Sequence, residues 1–410
     1  MEVVHARCAG LDVHKKTVVA CVRIQDGQGI RHDVRTFDTT TSALMELAQW
    51  LHDNGCQHAV VESTGVYWKP VWHVLASDEL KLVLANAEHV RNLPGRKSDV
   101  KDAEWLSDLL AHGLVASSFV PPEPIVELRD LTRTRRQLVR QRVRHTQRVQ
   151  KTLEDANIKL DSVISNVLGK SGRRMVEALI AGKTDPVQLA KLADFRLRAS
   201  DAQLTEALRG RVTEHHRLML RIHLEQVDAT DRTIATLDQE IERMLEPFRA
   251  ELTLLCTIPG VGALAAQTIV AEIGTNMCQF PTAPQLISWA GLCPQLRESA
   301  GKRKNTRLRR GAPWLKPLLV QAAWAAVRNK DCYFRAQFYR LKARRGPKKA
   351  IIAVAASILG AAFHILRDAV PYRDLGQAHF DRTDKHKVTS RLLRRLTELG
   401  YDVQLTPRAA

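Results

Sequence analysis

The sequence predicts an α/β domain followed by a mainly α-helical region. Near the N-terminus, β-branched stretches alternate with segments whose apolar residues have helical spacing, which is typical of a mixed sheet covered by helices. Further along, two long stretches contain neither Gly nor Pro, and this favours long helices. Because 410 residues exceed the usual size of one hydrophobic core, we expect two or three domains.

The first domain is predicted to span residues 1–120. Its first β-branched segment, 9–24, continues through a turn at 26–29 into a return strand and so forms a hairpin. A helix at 99–111, with Ser98 as its N-cap, follows the sheet. The remaining elements are the return strand at 31–37, helices at 41–54 and 67–76, and short strands at 59–61 and 81–84.

The composition indicates a polyanionic partner. Lys and Arg number 62 against 44 for Asp and Glu, so the net charge is +18, which favours nucleic acid over an anionic membrane surface. Apolar residues at 45% and charged residues at 26% exclude collagen-like and wholly disordered chains.

The pattern of cysteines favours a reducing cytoplasm, and the apolar segments predict neither secretion nor a membrane span. Seven cysteines are scattered without a Cys-x-x-Cys pair, which argues against structural zinc or a disulfide framework. Residues 1–11 lack an apolar signal core, so we do not expect secretion. The stretch 350–366 is apolar but short for a membrane span, and we predict a buried helix there.

The first long stretch, 127–154, predicts a basic helix. A charge run is usually a solvated helix face, but Arg and Lys so outnumber acids here that nucleic-acid contact is the favoured interpretation. The candidate contacts, one helical turn or so apart, are Arg133, Arg136, Arg140 and Arg144.

The second long stretch, 212–246, has the apolar spacing of a coiled coil. Leu220, Val227, Ile234 and Ile241 recur every seven residues. Asp231 and Asp238 fall where the second seam position would be, so the pairing is expected to be partial or intramolecular.

Four carboxylates of the first domain are candidate metal ligands. Asp12 lies inside an apolar strand and Glu62 directly follows one, where a carboxylate is costly unless it is paired or bound to metal. Asp99 and Asp102 share one face of a helix start. Oxygen ligands of this kind suit Mg²⁺ or Mn²⁺. Structural roles as strand-end caps or helix-dipole partners remain open for each residue taken singly.

Two motifs of the C-terminal half are suited to holding phosphate. Gly260 and Gly262 lie in a tight turn that opens a helix and resembles a helix-hairpin-helix, although they could serve the turn alone. Ser299 is a serine between small residues, and read alone it is a phosphate contact or a solvated residue rather than a nucleophile. The cations that follow it are Lys302, Arg303, Lys304 and Arg307.

Together these motifs resemble the DEDD transposases of the IS110 family of bacterial insertion sequences, the RNA-guided bridge recombinases. The resemblance covers about residues 10–325 and is carried by GLDVHK at 10–15, ESTGVYW at 62–68, KSDVKDA at 97–103, IPGVG at 258–262, and Gly291-Leu292 with Ser299-Ala300-Gly301. Departures from the family pattern are Ser98 for Thr, Asn86-Ala87 for Asn-Pro, Ser299-Ala300-Gly301 for Ser-Gly-Gly, and Gly311-Ala312 for Gly-Asn.

The resemblance implies a domain plan. It implies an RNase H-like, RuvC-like DEDD domain at 1–120 and a linker of basic helix and coiled-coil helices at 121–250. A mainly helical transposase domain with a helix-hairpin-helix follows at 251–345, and a helical extension with a basic tail occupies 346–410.

The resemblance also implies a mechanism and partners. Asp12, Glu62, Asp99 and Asp102 would hold Mg²⁺ or Mn²⁺, and Ser299 would attack DNA to form a covalent phosphoserine link. The partners would be donor and target DNA, a noncoding bridge RNA, and further copies in a dimer or tetramer joined by coiled coils, in the bacterial cytoplasm at the nucleoid and without a membrane. The alternatives are a RuvC-like nuclease that hydrolyses nucleic acid with the four acids, and a non-enzymatic architectural binder.

Overall fold

Two units make up the chain, Met1–Val120 and Pro121–Ala410. The structure is a computed structural model that describes residues 2–27, 29–63, 65–76, 79–85, 99–294, 297–299, 302–305, 308, 311–380 and 385–404. Within these ranges, only the backbone is described for residues 99–101, 297–299, 302–305, 385–388 and 391.

A five-stranded mixed sheet forms the centre of the N-terminal unit. Its strand order is β3-β2-β1-β4-β5, in which β1 to β3 are antiparallel neighbours and β4 and β5 continue parallel to β1. This arrangement confirms the predicted mixed α/β sheet and is compatible with an RNase H-like domain. The strands are β1 (Arg7–Val13), β2 (Thr17–Asp26), β3 (Gly29–Asp38), β4 (His58–Glu62) and β5 (Lys81–Ala85).

The single strand predicted at 9–24 is wrong in one respect, because it is two antiparallel strands. A tight turn separates β1 from β2, and the amide of His14 donates to the Thr17 carbonyl at 2.9 Å. The polar residues 14–16 interrupt the buried run, and folding back lets both strands bury their apolar side chains in one sheet. The turn therefore places Asp12 near the end of β1.

Helices cover both faces of this sheet: α1 (Thr41–Asp53), α2 (Trp68–Leu75) and α3 (Asp99–Ala111). Ala9 and Leu11 point to the face packed by α1 and α2, while Cys8 points to the opposite face with Leu106 of α3. The alternation of side chains along β1 thus divides the core into two layers. The predicted bounds of the helix at 99–111 are confirmed.

Helix α3 approaches β1 so closely that only glycine fits at position 10. A Cβ on Gly10 would lie 2.2 Å from the carbonyl oxygen of Ala103 and 2.6 Å from the amide nitrogen of Ser107. Two residues earlier on β1, the Cys8 Sγ donates at 3.4 Å to the carbonyl of Ser107, which lies one helical turn after Ala103 in α3. The helix therefore runs antiparallel to the strand.

The C-terminal unit is mainly helical, as predicted. It also contains a small hairpin, β6 (Arg297–Ser299) and β7 (Lys302–Asn305), which the sequence did not indicate. Its helices are α4 (Glu123–Asp155), α5 (Leu160–Val163), α6 (Lys170–Ile180), α7 (Pro186–Ala190), α8 (Asp201–Ala207), α9 (Glu214–Leu245), α10 (Arg249–Cys256), α11 (Ala263–Ile273), α12 (Ala283–Trp289), α13 (Leu315–Arg328), α14 (Tyr333–Arg345), α15 (Pro347–Asp368) and α16 (Lys385–Glu398), with 3₁₀ turns at Glu246–Phe248 and Met277–Gln279.

The long helices α4 and α9 pack against each other in an antiparallel pair. Contacts run from Asp155 with His216 at one end to Arg142 with Asp231 further along. Leu220, Val227 and Ile241 of the seven-residue stripe are buried, and Ile234 is half-buried. The apolar stripe of α9 therefore packs against α4 of the same chain. This intramolecular pairing is one of the two arrangements expected from the aspartates in the seam.

A small helical bundle with its own core connects the C-terminal end of α4 to the N-terminal end of α9. Buried residues from Val149 to Leu224 form this core, which includes Leu160, Met175 and Leu204. The sequence between 169 and 201 carries no clear periodicity because its helices are only one to three turns long.

Helix α15 is the buried helix that the sequence predicted at 350–366. By length and composition it is the one helix of the described residues that could cross a membrane, and 56% of its most apolar window is buried inside the protein. It packs against α13 and α14, and ten of its residues, including Val354 and Phe363, are buried. This burial is typical of a core helix.

We predict that Gly10→Ala destabilises the fold. The two nearest atoms that the new methyl group would meet belong to the α3 backbone, so the helix must shift, at a cost of about 1–3 kcal/mol in the free energy of unfolding. Urea denaturation measures this cost. The matched control is Gly27→Ala, where nothing lies within 4 Å of the added Cβ; equal stability of the two variants would contradict the account.

Candidate catalytic and nucleic-acid-binding sites

Two predicted ligands, Asp12 and Glu62, lie at neighbouring positions of adjacent parallel strands. Leu11 pairs with Val61 in the register of β1 and β4, so Asp12 and Glu62 occupy the next position along each strand. Because side chains alternate, both acids share the α3 face of the sheet. They are 9% and 8% exposed. Two largely buried carboxylates are therefore brought to the same place on the sheet.

His14 is a neighbour of this site that the sequence pattern did not single out. Its Nε2 lies 3.1 Å from Oδ2 of Asp12, and its side chain is half exposed. The β1–β2 turn positions this contact, because it folds the chain back directly after Asp12. The imidazole of His14 therefore lies against a largely buried carboxylate.

The other two predicted ligands lie at the beginning of α3. Asp99 is the first residue of the helix, and its side chain is outside the described part of the structure. Asp102 is half-buried and precedes Ala103, the residue that packs on Gly10. Among the described side chains, no group of three or more His, Cys, Asp or Glu residues is placed to hold a metal ion.

Ser299 is the last residue of β6. It pairs in register with Lys302, and an isolated bridge between Pro294 and Leu308 closes the base of the hairpin. The side chains of Ser299, Lys302, Arg303 and Lys304 are outside the described part, and Arg307 lies wholly outside the described residues.

The base of the hairpin is also fixed by a close backbone approach. A Cβ on Gly311 would lie 2.4 Å from the carbonyl carbon and oxygen of Ala290 and from the Cα of Gly291. The chain leaving the hairpin therefore lies directly on the chain entering it.

The two glycines of the 258–262 turn have different surroundings. Gly260 has φ +84°, and a Cβ there would lie 2.2 Å from the carbonyl oxygen of Ala322 in α13. Only glycine meets both conditions. Gly262 is the N-cap of α11, and nothing lies within 4 Å of the position of its Cβ. Of the two, Gly262 has the space that a ligand would need.

On the basic helix α4, Arg133 is committed to an ion pair inside the protein. Its Nε and Nη2 donate to the two carboxylate oxygens of Glu272, both at 2.8 Å, and Glu272 is 1% exposed. Arg129 donates to the carbonyls of Ala271 and Glu272 at 3.2 and 2.6 Å, and burial lowers the pKa of its guanidinium to about 10. The sequence signal that could have indicated this pair is that Glu272 is the only charged residue of the mainly apolar α11.

Further along α4, the arginines differ in exposure. Arg136 is half-buried and donates to the carbonyl of Trp314 at 2.6 Å. Arg135 and Arg142 pair with Asp238 and Asp231 of α9. In contrast, the side chains of Arg140 and Arg144 are exposed.

Comparison with known proteins identifies two segments of the chain. The transposase model for DEDD proteins of IS110 matches residues 9–158, and the model of the transposase IS116/IS110/IS902 family matches residues 252–340. The 43.6 kDa protein of insertion element IS110 from Streptomyces coelicolor is 26% identical over 303 residues, which are 68% of this chain and 73% of that protein. The 42 kDa protein of insertion element IS900 from Mycobacterium paratuberculosis is 26% identical over 332 residues, or 72% and 80% of the two chains.

These matches define an enzyme that acts on DNA, a DNA transposase or recombinase. The chain belongs to the IS110 family of transposases. Membership of a DEDD transposase family also implies dependence on a divalent cation.

We predict that Arg133→Gln lowers the free energy of unfolding by about 3 kcal/mol, because it leaves the buried carboxylate of Glu272 without its bidentate partner. The loss should fall at the low end for a broken buried pair, since Arg129 Nε remains 3.9 Å from Glu272. Urea denaturation of the full chain measures it. Arg144→Gln, with the same charge change at an exposed position of α4, should stay within about 0.5 kcal/mol of the parent. Equal losses would contradict the structural role of Arg133.

Proposed function

We propose that the chain cleaves and exchanges DNA strands through a covalent phosphoserine intermediate on Ser299, with a DEDD site that holds Mg²⁺ or Mn²⁺. The observation that supports the metal site is the placement of two largely buried carboxylates, Asp12 and Glu62, at neighbouring sheet positions on the face covered by α3. Such a pair is costly unless a cation or hydrogen bonds offset the like charges. The role of Ser299 rests on the family resemblance.

The packing of α3 supports the inclusion of Asp99 and Asp102 in the same site. From Gly10 to Asp12 the strand advances about 6.6 Å, and from Ala103 back to Asp99 the helix advances about 6 Å. Since the helix is antiparallel to β1 and Ala103 packs on Gly10, Asp99 begins the helix at the level of Asp12. Asp102 follows three residues later, on the same side of the helix.

The donor chemistry of these four residues fits a hard divalent cation. Carboxylate oxygens are the ligands that Mg²⁺ and Mn²⁺ prefer. Such an ion supplies Lewis-acid stabilisation of negative charge on a phosphodiester. The protein's part is to hold Asp12 and Glu62 rigidly on paired strands and to place the start of α3 against them.

Ser299 is proposed as the nucleophile. Its Oγ attacks the phosphorus of a DNA phosphodiester, the bond from phosphorus to the leaving strand breaks, and the hydroxyl proton ends on the leaving oxygen. The ester between serine and phosphate conserves the energy of the broken phosphodiester bond. Attack on this ester by another strand end therefore reseals the DNA without ATP. Lys302, Arg303 and Lys304 belong to β7, Arg307 follows in the sequence, and these cations would attract the phosphate.

Nucleic-acid contacts are proposed on two surfaces of the C-terminal unit. Arg140 and Arg144 are exposed on α4 and would neutralise backbone phosphates. The helix-hairpin-helix, α10 and α11 with their connecting turn, would present its amides at Gly262 to a phosphate, while Gly260 provides the turn. Because Arg133 and Arg136 already have intrachain partners, any phosphate contact by them would require those partners to be exchanged.

The remaining parts of the proposal follow from the family resemblance. A noncoding bridge RNA would pair with donor and target DNA and so supply sequence specificity. The acids and Ser299 would come from different subunits of a dimer or tetramer in the cytoplasm. Since the apolar stripe of α9 faces α4 of the same chain, coiled-coil assembly would use the outer faces of this pair. The division into 1–120, 121–250, 251–345 and 346–410 is likewise proposed.

We predict that Ser299→Ala binds DNA like the parent but forms neither cleaved strands nor a protein–DNA adduct, because no other oxygen replaces the serine hydroxyl. The assay uses labelled duplex DNA from the ends of the encoding element, RNA transcribed from its flanking noncoding DNA, and Mg²⁺, followed by denaturing electrophoresis. Ser117→Ala, at an exposed serine of the N-terminal unit, is the matched control and should form the adduct. Free cleaved ends without an adduct from both Ser299→Ala and the parent would reject the nucleophile and favour the hydrolytic nuclease.

A further inference from the structure

The basic helix α4 holds the segment through which the chain returns from the Ser299 hairpin. Trp314 lies three residues after Gly311 and directly precedes α13. Arg136 of α4 donates from Nη1 to the Trp314 carbonyl at 2.6 Å. The guanidinium carbons of Arg133, Arg136 and Arg140 lie 5.8, 5.9 and 5.6 Å from the centroid of the Trp314 ring, at the outer range of cation–π contact.

The other end of this segment is fixed as well. Gly311 lies directly on Ala290 and Gly291 at the end of α12, and the Pro294–Leu308 bridge closes the hairpin above it. Movement of Trp314 would therefore be passed to the hairpin base through only three residues, 311–313.

Helix α4 is itself rigidly held at this level. Arg133 makes its bidentate pair with the buried Glu272, and Arg129 donates to two carbonyls of the last turn of α11. Two neighbouring turns of α4 are thus tied to α11, and Arg136 extends from the next turn to Trp314. The contact links a fixed helix to a segment that leads into the hairpin.

The surroundings of Arg136 indicate a specific contact. Burial, followed by the nearby charge of Arg140, lowers the pKa of its guanidinium, so the protein holds this cation in an unfavourable place. Its contacts are the neutral carbonyl and the aromatic ring of Trp314, and the charge of the buried Glu272 offsets only part of the lowering of its pKa. A cavity of about 250 Å³, lined by Trp314, Arg136 and Leu318 among others, lies beside them. Trp314 is half-buried at the edge of this cavity, and Arg136 contacts both its carbonyl and its ring.

We propose that Arg136 is a positioning residue for strand cleavage, which fixes the return end of the Ser299 hairpin through Trp314. This inference rests on the proposed nucleophilic role of Ser299. It assigns Arg136 to the geometry of the reaction, whereas Arg140 and Arg144 remain the proposed phosphate contacts of α4.

The test compares the rate of adduct formation at saturating DNA in Arg136→Gln, Arg136→Lys and the parent. The assay contains the labelled element-end DNA, the flanking RNA and Mg²⁺, at a temperature where urea unfolding shows every variant to be folded. The affinity for DNA and its salt dependence are measured in parallel. Arg148→Gln, an exposed arginine of the same helix, is the charge-matched control.

Arg136→Gln should lower the saturated rate by about 10- to 100-fold, the size expected for a small misplacement of a reacting group, with DNA affinity and salt slope unchanged. Arg136→Lys keeps a donor and should restore part of the rate, while Arg148→Gln should react like the parent.

Four results would overturn the positioning role. The first is a parental rate in Arg136→Gln. The second is a loss of activity in Arg136→Gln that comes only from weaker, less salt-dependent DNA binding, and this would make Arg136 a phosphate contact. Equal loss in the Gln and Lys variants, in step with their stability, would make the contact merely structural. A parent that forms no adduct would instead reject the Ser299 mechanism, and the positioning role with it.

Discussion

The organisation of the N-terminal unit depends on bringing two carboxylates, Asp12 and Glu62, side by side in a largely buried place. Paired parallel strands set their spacing, and the close approach of α3 at Gly10 closes the face on which they lie. Like charges in a region of low dielectric repel, so this arrangement requires a cation or hydrogen bonds that offset the two charges. Membership of a DEDD transposase family implies dependence on a divalent cation, which would offset these charges.

The C-terminal unit uses its positive charge in two ways. Arg129, Arg133 and Arg136 turn inward from α4, where they hold α11 and Trp314. Arg140 and Arg144 face solvent. One basic helix therefore supplies both internal ties and an exposed cationic surface. The tie to Trp314 lies close in sequence to the end of the Ser299 hairpin, and under the proposed mechanism Arg136 would therefore serve both stability and reaction geometry.

Local patterns in the sequence predicted much of this fold. They could not predict contacts between segments that are distant in the sequence. The bounds of α3 and the stripe of α9 follow from helical spacing, which is a local property. The turn after Asp12 was missed because β-branched residues continue on both sides of it. The partner of Arg133 could not be read from α4, since Glu272 lies 139 residues further along the chain. Asp12 and Glu62 were selected because acids are rare in buried strands, and their shared face required the register of β1 and β4.

Direct measurement of cation binding is the sharpest test of the central claim, that the acids of the α3 face form a divalent-metal site. Electron paramagnetic resonance of Mn²⁺, titrated into the full chain, reports binding without any need for substrate. The account predicts saturable binding by the parent, loss of that binding in Asp12→Asn and Asp102→Asn, and parental binding in Asp53→Asn, which alters an exposed aspartate of α1. Parental Mn²⁺ binding in both Asp12→Asn and Asp102→Asn, or none in the parent, would contradict it.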